Sequence, residues 1–101
     1  MTWHDACDAA LADGSVVEAS AASTFVALAR TGESWHAVEL WCTHAECPLS
    51  DGWVEGAALR CACHGALFDL ATGEPLEGPA ECPVRVFPTR VRDGRVEVEL
   101  A

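Results

Sequence analysis

The fold of this chain is decided by two short motifs, Cys42-Thr43-His44 and Cys61-Ala62-Cys63-His64. Sixteen residues separate the end of the first motif from the start of the second. Each motif offers one thiolate and one imidazole, and four such ligands suit either a tetrahedral zinc ion or a binuclear iron–sulfur cluster. The one-residue gap in the first motif is shorter than the zinc spacing of roughly two to four residues. It fits a loop that presents a Cys to one iron and a His to the neighbouring iron.

Upstream of the motifs, the sequence reads mainly as short strands. Thr24 to Leu28 and Trp35 to Trp41 are candidate strands, and the residues Thr31-Gly32-Glu33 supply a turn between them. A short helical turn is expected around Asp8 to Asp13. No long helix is predicted here, because Gly and Ser residues interrupt the Ala-rich stretches.

Downstream of the motifs, the pattern of β-strands is clearer. Asp93-Gly94 is a strong hairpin signal between two apolar segments. Pro88 falls inside the first arm and predicts an edge or a bulge there. The apolar residues that alternate with Arg and Glu, the period of a half-buried strand, are Val84, Val86, Val96, Val98 and Leu100. Short strands separated by turns predict an all-β fold, an antiparallel sandwich or barrel.

The middle of the chain has a different composition. The stretch from Cys42 to Cys82 holds five of the six Cys, two of the four His and three of the five Pro. Its strand patterns are brief, at 58–60 and 67–68. We interpret residues 41–82 as a loop-rich subdomain organised around a site, within one domain that spans residues 1–101.

The charge of the chain excludes several classes of partner. Six Arg and sixteen acidic residues give a formal net charge of −10, and the sequence contains no Lys. This balance disfavours nucleic acid and anionic membranes, which need basic patches. The N-terminus lacks a signal-peptide pattern and no apolar run is long enough to span a bilayer, so a cytoplasmic location is expected. Six cysteines there favour metal ligands over a disulfide scaffold.

The pattern C-x-H, a spacer of this size, then C-x-x-H resembles the signature of Rieske [2Fe–2S] proteins. The flanking sequence resembles in particular the Rieske ferredoxins that serve bacterial aromatic-ring oxygenases. The resemblance covers most of the chain and is most specific from Trp41 to Pro88. It is carried by residues 49–56, residues 64–69, Thr72-Gly73, the stretch from Pro79 through Val86, and the N-terminal Cys7-Asp8 pair.

The resemblance implies a Rieske fold, one [2Fe–2S] cluster and a role for each residue of the motifs. Cys42 and Cys61 bind one iron in this interpretation, and His44 and His64 bind the other. Neutral imidazoles in place of two thiolates raise the reduction potential relative to an all-Cys cluster. A structural zinc site built from the same residues is the alternative.

One feature departs from the oxygenase ferredoxins, and a second departs from the Rieske proteins of respiratory and photosynthetic complexes. Cys47 and Cys63 resemble the disulfide that ties the ligand loops together in Rieske proteins of respiratory and photosynthetic complexes. We expect this bridge to form, with two thiols kept reduced by the compartment as the alternative. That same branch carries Ser and Tyr hydroxyls that donate to the cluster sulfurs, whereas the matching residues here are Ala66 and Phe68. Their absence predicts a potential in the lower part of the Rieske range, roughly −150 to +300 mV.

The remaining Cys, His and Trp residues have blander expected roles. Cys7 and Cys82 are expected to be small buried residues, and His4 and His36 to lie on the surface or in loops. Trp41 and Trp53 are either ordinary core or shell residues or a cover over the cluster. The resemblance places Pro79 in a loop that packs over the cluster.

The resemblance implies a soluble, monomeric one-electron carrier. It would take electrons from a flavin-dependent NAD(P)H reductase and pass them to a terminal Rieske-type oxygenase, without transforming a substrate itself. From Glu39 to Glu81 there are eight acidic residues and one Arg, a net charge of −7, which predicts an acidic docking surface near the cluster. The alternatives are a permanent small subunit of a larger oxidoreductase, such as a nitrite reductase or an arsenite-oxidase-like enzyme, and a zinc-binding interaction module.

Overall fold

The computed structural model describes residues 2–42, 47–63, 65–78 and 82–100. Within these ranges the chain is all-β, as predicted, and one 3₁₀ turn at Leu49–Asp51 is its helical element. The strands are β1 Thr2–Asp8, β2 Val16–Ala21, β3 Thr24–Thr31, β4 Ser34–Glu39, β5 Trp53–Glu55, β6 Ala58–Arg60, β7 Leu67–Asp69, β8 Pro75–Glu77, β9 Val86–Phe87, β10 Thr89–Arg92 and β11 Arg95–Leu100.

The described strands form three antiparallel sheets. The first has the order β1-β11-β10, the second β2-β3-β4-β9 and the third β5-β6-β7-β8. The chain leaves the second sheet after β4, builds the whole third sheet, and returns at β9, which pairs with β4. This excursion carries the two Cys/His motifs.

The second sheet separates two buried cores because β3 is buried on both faces. Val26 and Leu28 point to a core shared with Val96 and Val98 of the first sheet. Their neighbours Ala27 and Ala29 join a second core with residues of the third sheet and of the two motifs. Successive side chains of a strand point to opposite faces, so an unbroken apolar run is what a strand between two cores requires.

The strand predictions are confirmed at β3, β4 and the C-terminal hairpin, with shifted ends. β3 continues to Thr31, and β4 ends at Glu39 rather than Trp41. Pro88 separates β9 in the second sheet from β10 in the first. Because Pro has no N–H to donate, it suits the point where the chain changes sheets.

The helical turn expected near residue 8 is wrong, because Asp8 ends β1 and residues 9–15 contain turns and irregular chain without a helix. The Asp8 carboxylate accepts the N–H of Ala10 at 2.8 Å, which favours a turn over a helix. Cys82 is also misplaced by the sequence prediction, since it is exposed and lies outside any strand. Cys7 is half-buried on β1 rather than fully buried.

Candidate metal centre

Two loops of the same construction carry the predicted Cys ligands. Each begins at a buried Cys whose N–H donates to the carbonyl of the fifth residue along. Cys42 donates to Cys47 at 3.0 Å, and Cys61 donates to Ala66 at 2.8 Å. We call residues 42–47 the first ligand loop and residues 61–66 the second ligand loop. Cys42 is 5% exposed and Cys61 is 1% exposed, and both belong to the second core.

Short strand pairings close both loops at their bases. Trp41 forms an isolated antiparallel bridge with Pro48, and the N–H of Leu49 donates to the carbonyl of Leu40 at 2.6 Å. The second ligand loop connects β6 to β7, whose register pairs Arg60 with Leu67. A closed base gives each loop a defined direction, so each Cys emerges from the end of a strand pairing.

A disulfide joins the two loops, between Cys47 of the first and Cys63 of the second, with Cα atoms 6.3 Å apart. The expected pairing is therefore present. Cys47 is buried whereas Cys63 is exposed, so a reductant can reach the bond from the Cys63 side. The sulfur of Cys61 lies within 4.8 Å of both disulfide sulfurs.

The donor set fits a two-thiolate centre better than an all-sulfur zinc site. The three neighbouring sulfurs of Cys47, Cys61 and Cys63 would resemble part of such a site. Two of them are consumed by the disulfide, which leaves the Cys61 sulfur as the one outside that bond. Cys42 and Cys61 are buried in the same core, as the predicted pair of sulfur ligands requires.

The two predicted His ligands, His44 and His64, lie outside the described residues, as does Pro79. The structure places Cys42 and Cys61 in one core, and the assignment of all four ligands stays a prediction.

The predicted shell residues divide between exposed and buried positions. Trp41 is 54% exposed and Trp53 is 49% exposed, so neither is a core residue. Ala66 and Phe68, the residues that replace hydroxyl donors, are both buried. Ala66 is the last residue of the second ligand loop, and Phe68 follows two residues later on β7.

Both histidines outside the motifs lie half-buried in strands rather than in loops, His4 in β1 and His36 in β4. The Nε2 of His36 is 3.0 Å from the hydroxyl of Thr31. Burial lowers the pKa of His36, while the nearby carboxylate of Asp69 acts in the opposite direction. His36 therefore lies in a strand and favours the neutral imidazole.

A charged cluster beside the second ligand loop was missed by the sequence reasoning. Arg60 contacts the carboxylates of Glu55 and Glu77 and the carbonyl of Gly65. The available signal was a single Arg in an acidic segment, placed immediately before a ligand Cys. Strand register brings these residues together, and the sequence alone does not reveal that register.

No helix in the described part of the chain has the length and apolarity to cross a membrane.

Comparison with known proteins gives a consistent result. The family profile described as Rieske [2Fe-2S] domain matches residues 2–88. The ferredoxin subunit of anthranilate 1,2-dioxygenase from Burkholderia cepacia is 40% identical over 75 residues, which cover 74% of this chain and 69% of that protein.

Two solved structures are similar over nearly the whole chain. One is a chain from a complex of reduced oxygenase and oxidised ferredoxin in carbazole 1,9a-dioxygenase, at 32% identity and a TM-score of 0.88, covering 95% of this chain and 91% of that one. The other is assigned as the small subunit of an NADH-dependent nitrite reductase from Mycobacterium tuberculosis, at 28% identity and a TM-score of 0.87, covering 99% and 96%.

Proposed function

Because this chain belongs to the Rieske [2Fe-2S] domain family, we propose that it takes single electrons from a flavin-dependent NAD(P)H reductase and passes them to a terminal Rieske-type oxygenase. The chain is an electron carrier with one Rieske-type [2Fe–2S] cluster, rather than an enzyme that transforms a substrate. When bound, the cluster supplies a site that accepts and releases one electron.

The proposed ligands are Cys42 and Cys61 for one iron and His44 and His64 for the other. The burial of both Cys residues supports this assignment, because the loops hold them in one core behind closed bases. We place the cluster-binding subdomain at about residues 41–82 of a single domain, since the third sheet and both loops lie in that excursion. With two neutral imidazoles as ligands, the charges of the two ferric ions, two sulfides and two thiolates would sum to zero. A neutral oxidised centre accepts an electron more readily than an anionic one.

The observation that carries the partner assignment is the likeness to the ferredoxin of carbazole 1,9a-dioxygenase, which was solved in complex with its oxygenase. The similarity extends over 95% of this chain. A carrier that hands one electron to a larger partner needs its centre near an accessible surface. The exposed rings of Trp41 and Trp53, close to the loops in sequence, provide aromatic area of the kind that interfaces bury.

We propose an acidic docking surface formed by residues between Glu39 and Glu81, the segment that carries the predicted ligands. The one cation of this segment, Arg60, is already engaged by Glu55 and Glu77. The remaining acidic groups therefore favour a basic partner surface, and such steering raises association rates at low salt. A cytoplasmic monomer is the proposed state, because NAD(P)H-dependent reductases draw on the cytoplasmic pool.

The docking proposal is tested by the rate at which the reduced chain transfers its electron to an oxygenase. The variant Asp51→Asn/Glu74→Gln removes two exposed charges from the acidic segment. We expect a severalfold slower second-order rate at low salt and a weaker salt dependence. The matched control is Glu33→Gln/Asp93→Asn, with the same charge change at two turns away from the ligand loops. Equal rates for the two variants would contradict the docking surface.

The ligand assignment has its own experiment. His44→Ala and Cys61→Ser are expected to lose the red-brown colour and the EPR signal of the reduced protein, whereas Cys7→Ser keeps both. A colourless, zinc-loaded wild-type preparation would contradict the electron-carrier function.

A second candidate role is a permanent small subunit of a larger oxidoreductase. It is favoured by the likeness to the chain assigned as a nitrite reductase small subunit, at 28% identity over nearly the full length. Copurification distinguishes the two roles, because a permanent subunit elutes with its large subunit at nanomolar concentration. A transient carrier elutes alone.

A further inference from the structure

Arg60 occupies an unusual place in the chain. It ends β6, directly precedes the predicted ligand Cys61, and is the one basic residue between Glu39 and Glu81. Its side chain is 21% exposed, compared with 46% for Arg95 in an ordinary surface pair with Asp5. Isolated exposed pairs contribute little to stability, so the placement of Arg60 calls for a different explanation.

Two carboxylates hold the guanidinium of Arg60, one from the neighbouring strand β5 and one from β8 at the far edge of the same sheet. Its Nε donates to Glu55 Oε2 at 2.7 Å and its Nη2 donates to Glu55 Oε1 at 2.9 Å, a bidentate pair. The same Nη2 also donates to Glu77 Oε2 on β8 at 3.3 Å. The indole N–H of Trp53 donates to Glu55 at 2.7 Å and fixes that carboxylate in turn.

The Nη1 of Arg60 reaches the second ligand loop and donates to the carbonyl of Gly65 at 2.7 Å, and it also donates to Glu77 Oε1 at 3.5 Å. The N–H of Gly65 donates to the carbonyl of Cys61 at 3.1 Å. Both backbone polar groups of Gly65 therefore have partners that fix its orientation. One partner is the residue before Cys61 and the other is Cys61 itself, while Gly65 directly follows His64.

The backbone of Arg60 is held as firmly as its side chain. A Cβ atom built on Gly52 would overlap the carbonyl oxygen of Arg60, so the two backbones approach as closely as only glycine permits. This contact fixes the start of the second ligand loop, and the guanidinium contact with Gly65 fixes its far side.

We propose that Arg60 is a positioning residue of the cluster site, held by Glu55 and Glu77 so that it sets the conformation of the second ligand loop between Cys61 and Ala66. The proposal rests on the assignment of Cys61 and His64 as ligands. The planar guanidinium of Arg can donate two hydrogen bonds to one carboxylate and a third to the Gly65 carbonyl at the same time. Lys retains the charge but not this geometry.

The charge of Arg60 and the geometry of its guanidinium have separable effects on the cluster site. Reduction adds one negative charge to the centre, so a nearby cation favours the reduced state. Loss of the Arg60 charge lowers the reduction potential, whereas loss of the guanidinium geometry alone loosens the loop. Arg60→Met removes both, and Arg60→Lys removes the guanidinium geometry.

The test compares Arg60→Met, Arg60→Lys and the control Arg95→Met as holoproteins. Arg95 also forms a bidentate pair, with Asp5 at 2.8 and 2.7 Å, but it joins β1 to β11 in the first sheet. Three readouts are measured: amide hydrogen exchange of the peptide covering residues 61–66, the reduction potential, and the EPR g-values of the reduced state.

For Arg60→Met we expect roughly tenfold faster exchange in the loop, altered g-values and a more negative potential. For Arg60→Lys we expect the faster exchange with a potential close to that of the wild type. Arg95→Met changes the net charge equally and leaves all three readouts unchanged. If Arg60→Met holds too little cluster to measure, the exchange and g-values of Arg60→Lys decide.

The proposal is overturned if both Arg60 variants exchange and titrate like Arg95→Met. Failure of the ligand assignment is seen separately, because Cys61→Ser would then keep its colour whatever the Arg60 variants show.

Discussion

Gly73 and Val84 lie in backbone contact across the segment that returns the chain from the third sheet to the second. The N–H of Val84 donates to the carbonyl of Gly73 at 2.9 Å. Gly73 has a φ of +79°, and a Cβ at this position would overlap the carbonyl oxygen of Val84. The contact closes residues 74–83 into a loop whose two ends are fixed at one point.

Substitution of Gly73 by Ala is therefore expected to be strongly destabilising. The left-handed backbone costs a residue with a Cβ about 1 kcal/mol, and the overlap with the backbone of Val84 adds about 2 kcal/mol. Urea unfolding of Gly73→Ala measures the sum. Gly56→Ala is the matched control, since Gly56 has a φ of +61° and open space around its Cβ position. Equal losses for both variants would rule out the contribution of the overlap.

The strands that the sequence predicted are those whose apolar residues follow a regular pattern. Val96 and Val98 alternate with Glu because one face of β11 meets a core and the other meets solvent. β2 was missed because Val16 and Val17 both contact cores while small residues follow, so no alternation marks the strand. The ends of β3 and β4 depend on which partners they meet, and a local pattern does not contain that information.

The sequence predicts ligands for the site but not the residues that hold the ligand loops in place. Cys42 and Cys61 are recognisable because metal chemistry restricts both the residue types and their spacing. Arg60 and Gly52 could not be recognised, because their contact depends on the register of the β5-β6 pairing, in which Trp53 lies opposite Arg60. The exposure of Cys82 likewise follows from its place outside any strand, which composition does not encode.

The two-residue turn between β2 and β3 contains a strained sequence. Ala21 pairs with Thr24, and the central residues Ala22 and Ser23 have φ values of 47° and 70°. A turn with two left-handed residues prefers Asn-Gly. We expect Ala22→Asn/Ser23→Gly to raise the free energy of unfolding by about 1 kcal/mol, seen as a higher urea midpoint. An unchanged midpoint would show that the turn is not strained.

His36 gives stability a pH dependence near neutrality. Burial lowers its pKa below the ordinary 6.5, so the unfolded chain binds the proton more readily than the folded one. The stabilisation is complete above the unfolded pKa and is lost as the pH falls below it toward the folded pKa. The urea midpoint should therefore drop as the pH falls below the ordinary value of 6.5 toward the folded pKa. His36→Gln should flatten this drop. A drop of the same size in His36→Gln would assign the effect to other groups.

The disulfide between Cys47 and Cys63 closes a loop with a sequence separation of 16. Loop-closure entropy predicts a contribution of about 3 kcal/mol. The double variant Cys47→Ser/Cys63→Ser should lose about this much, and its urea midpoint should no longer respond to a dithiol reductant. Wild-type protein should respond, because Cys63 is exposed to the reductant. A wild-type midpoint insensitive to reductant would mean that the bridge does not contribute to stability.

The reduction potential should rise when hydrogen-bond donors are introduced beside the second ligand loop. Ala66 and Phe68 are buried at the end of that loop, and the carbonyl of Ala66 already accepts the N–H of Cys61 at 2.8 Å. A hydroxyl that donates to a sulfur of the centre stabilises the reduced state, which carries one more negative charge. A bond stronger by a factor of ten in the reduced state corresponds to about 59 mV for a one-electron couple.

We therefore expect Ala66→Ser and Phe68→Tyr each to shift the potential upward by about 59 mV in a redox titration. Phe68→Leu is the control for altered packing without a donor, and its potential should stay close to the wild-type value. Wild type itself should titrate in the lower part of the range of roughly −150 to +300 mV. A wild-type potential near the top of that range would show that other donors already surround the sulfurs. An upward shift in Phe68→Leu equal to that in Phe68→Tyr would assign the effect to packing rather than to the hydroxyl.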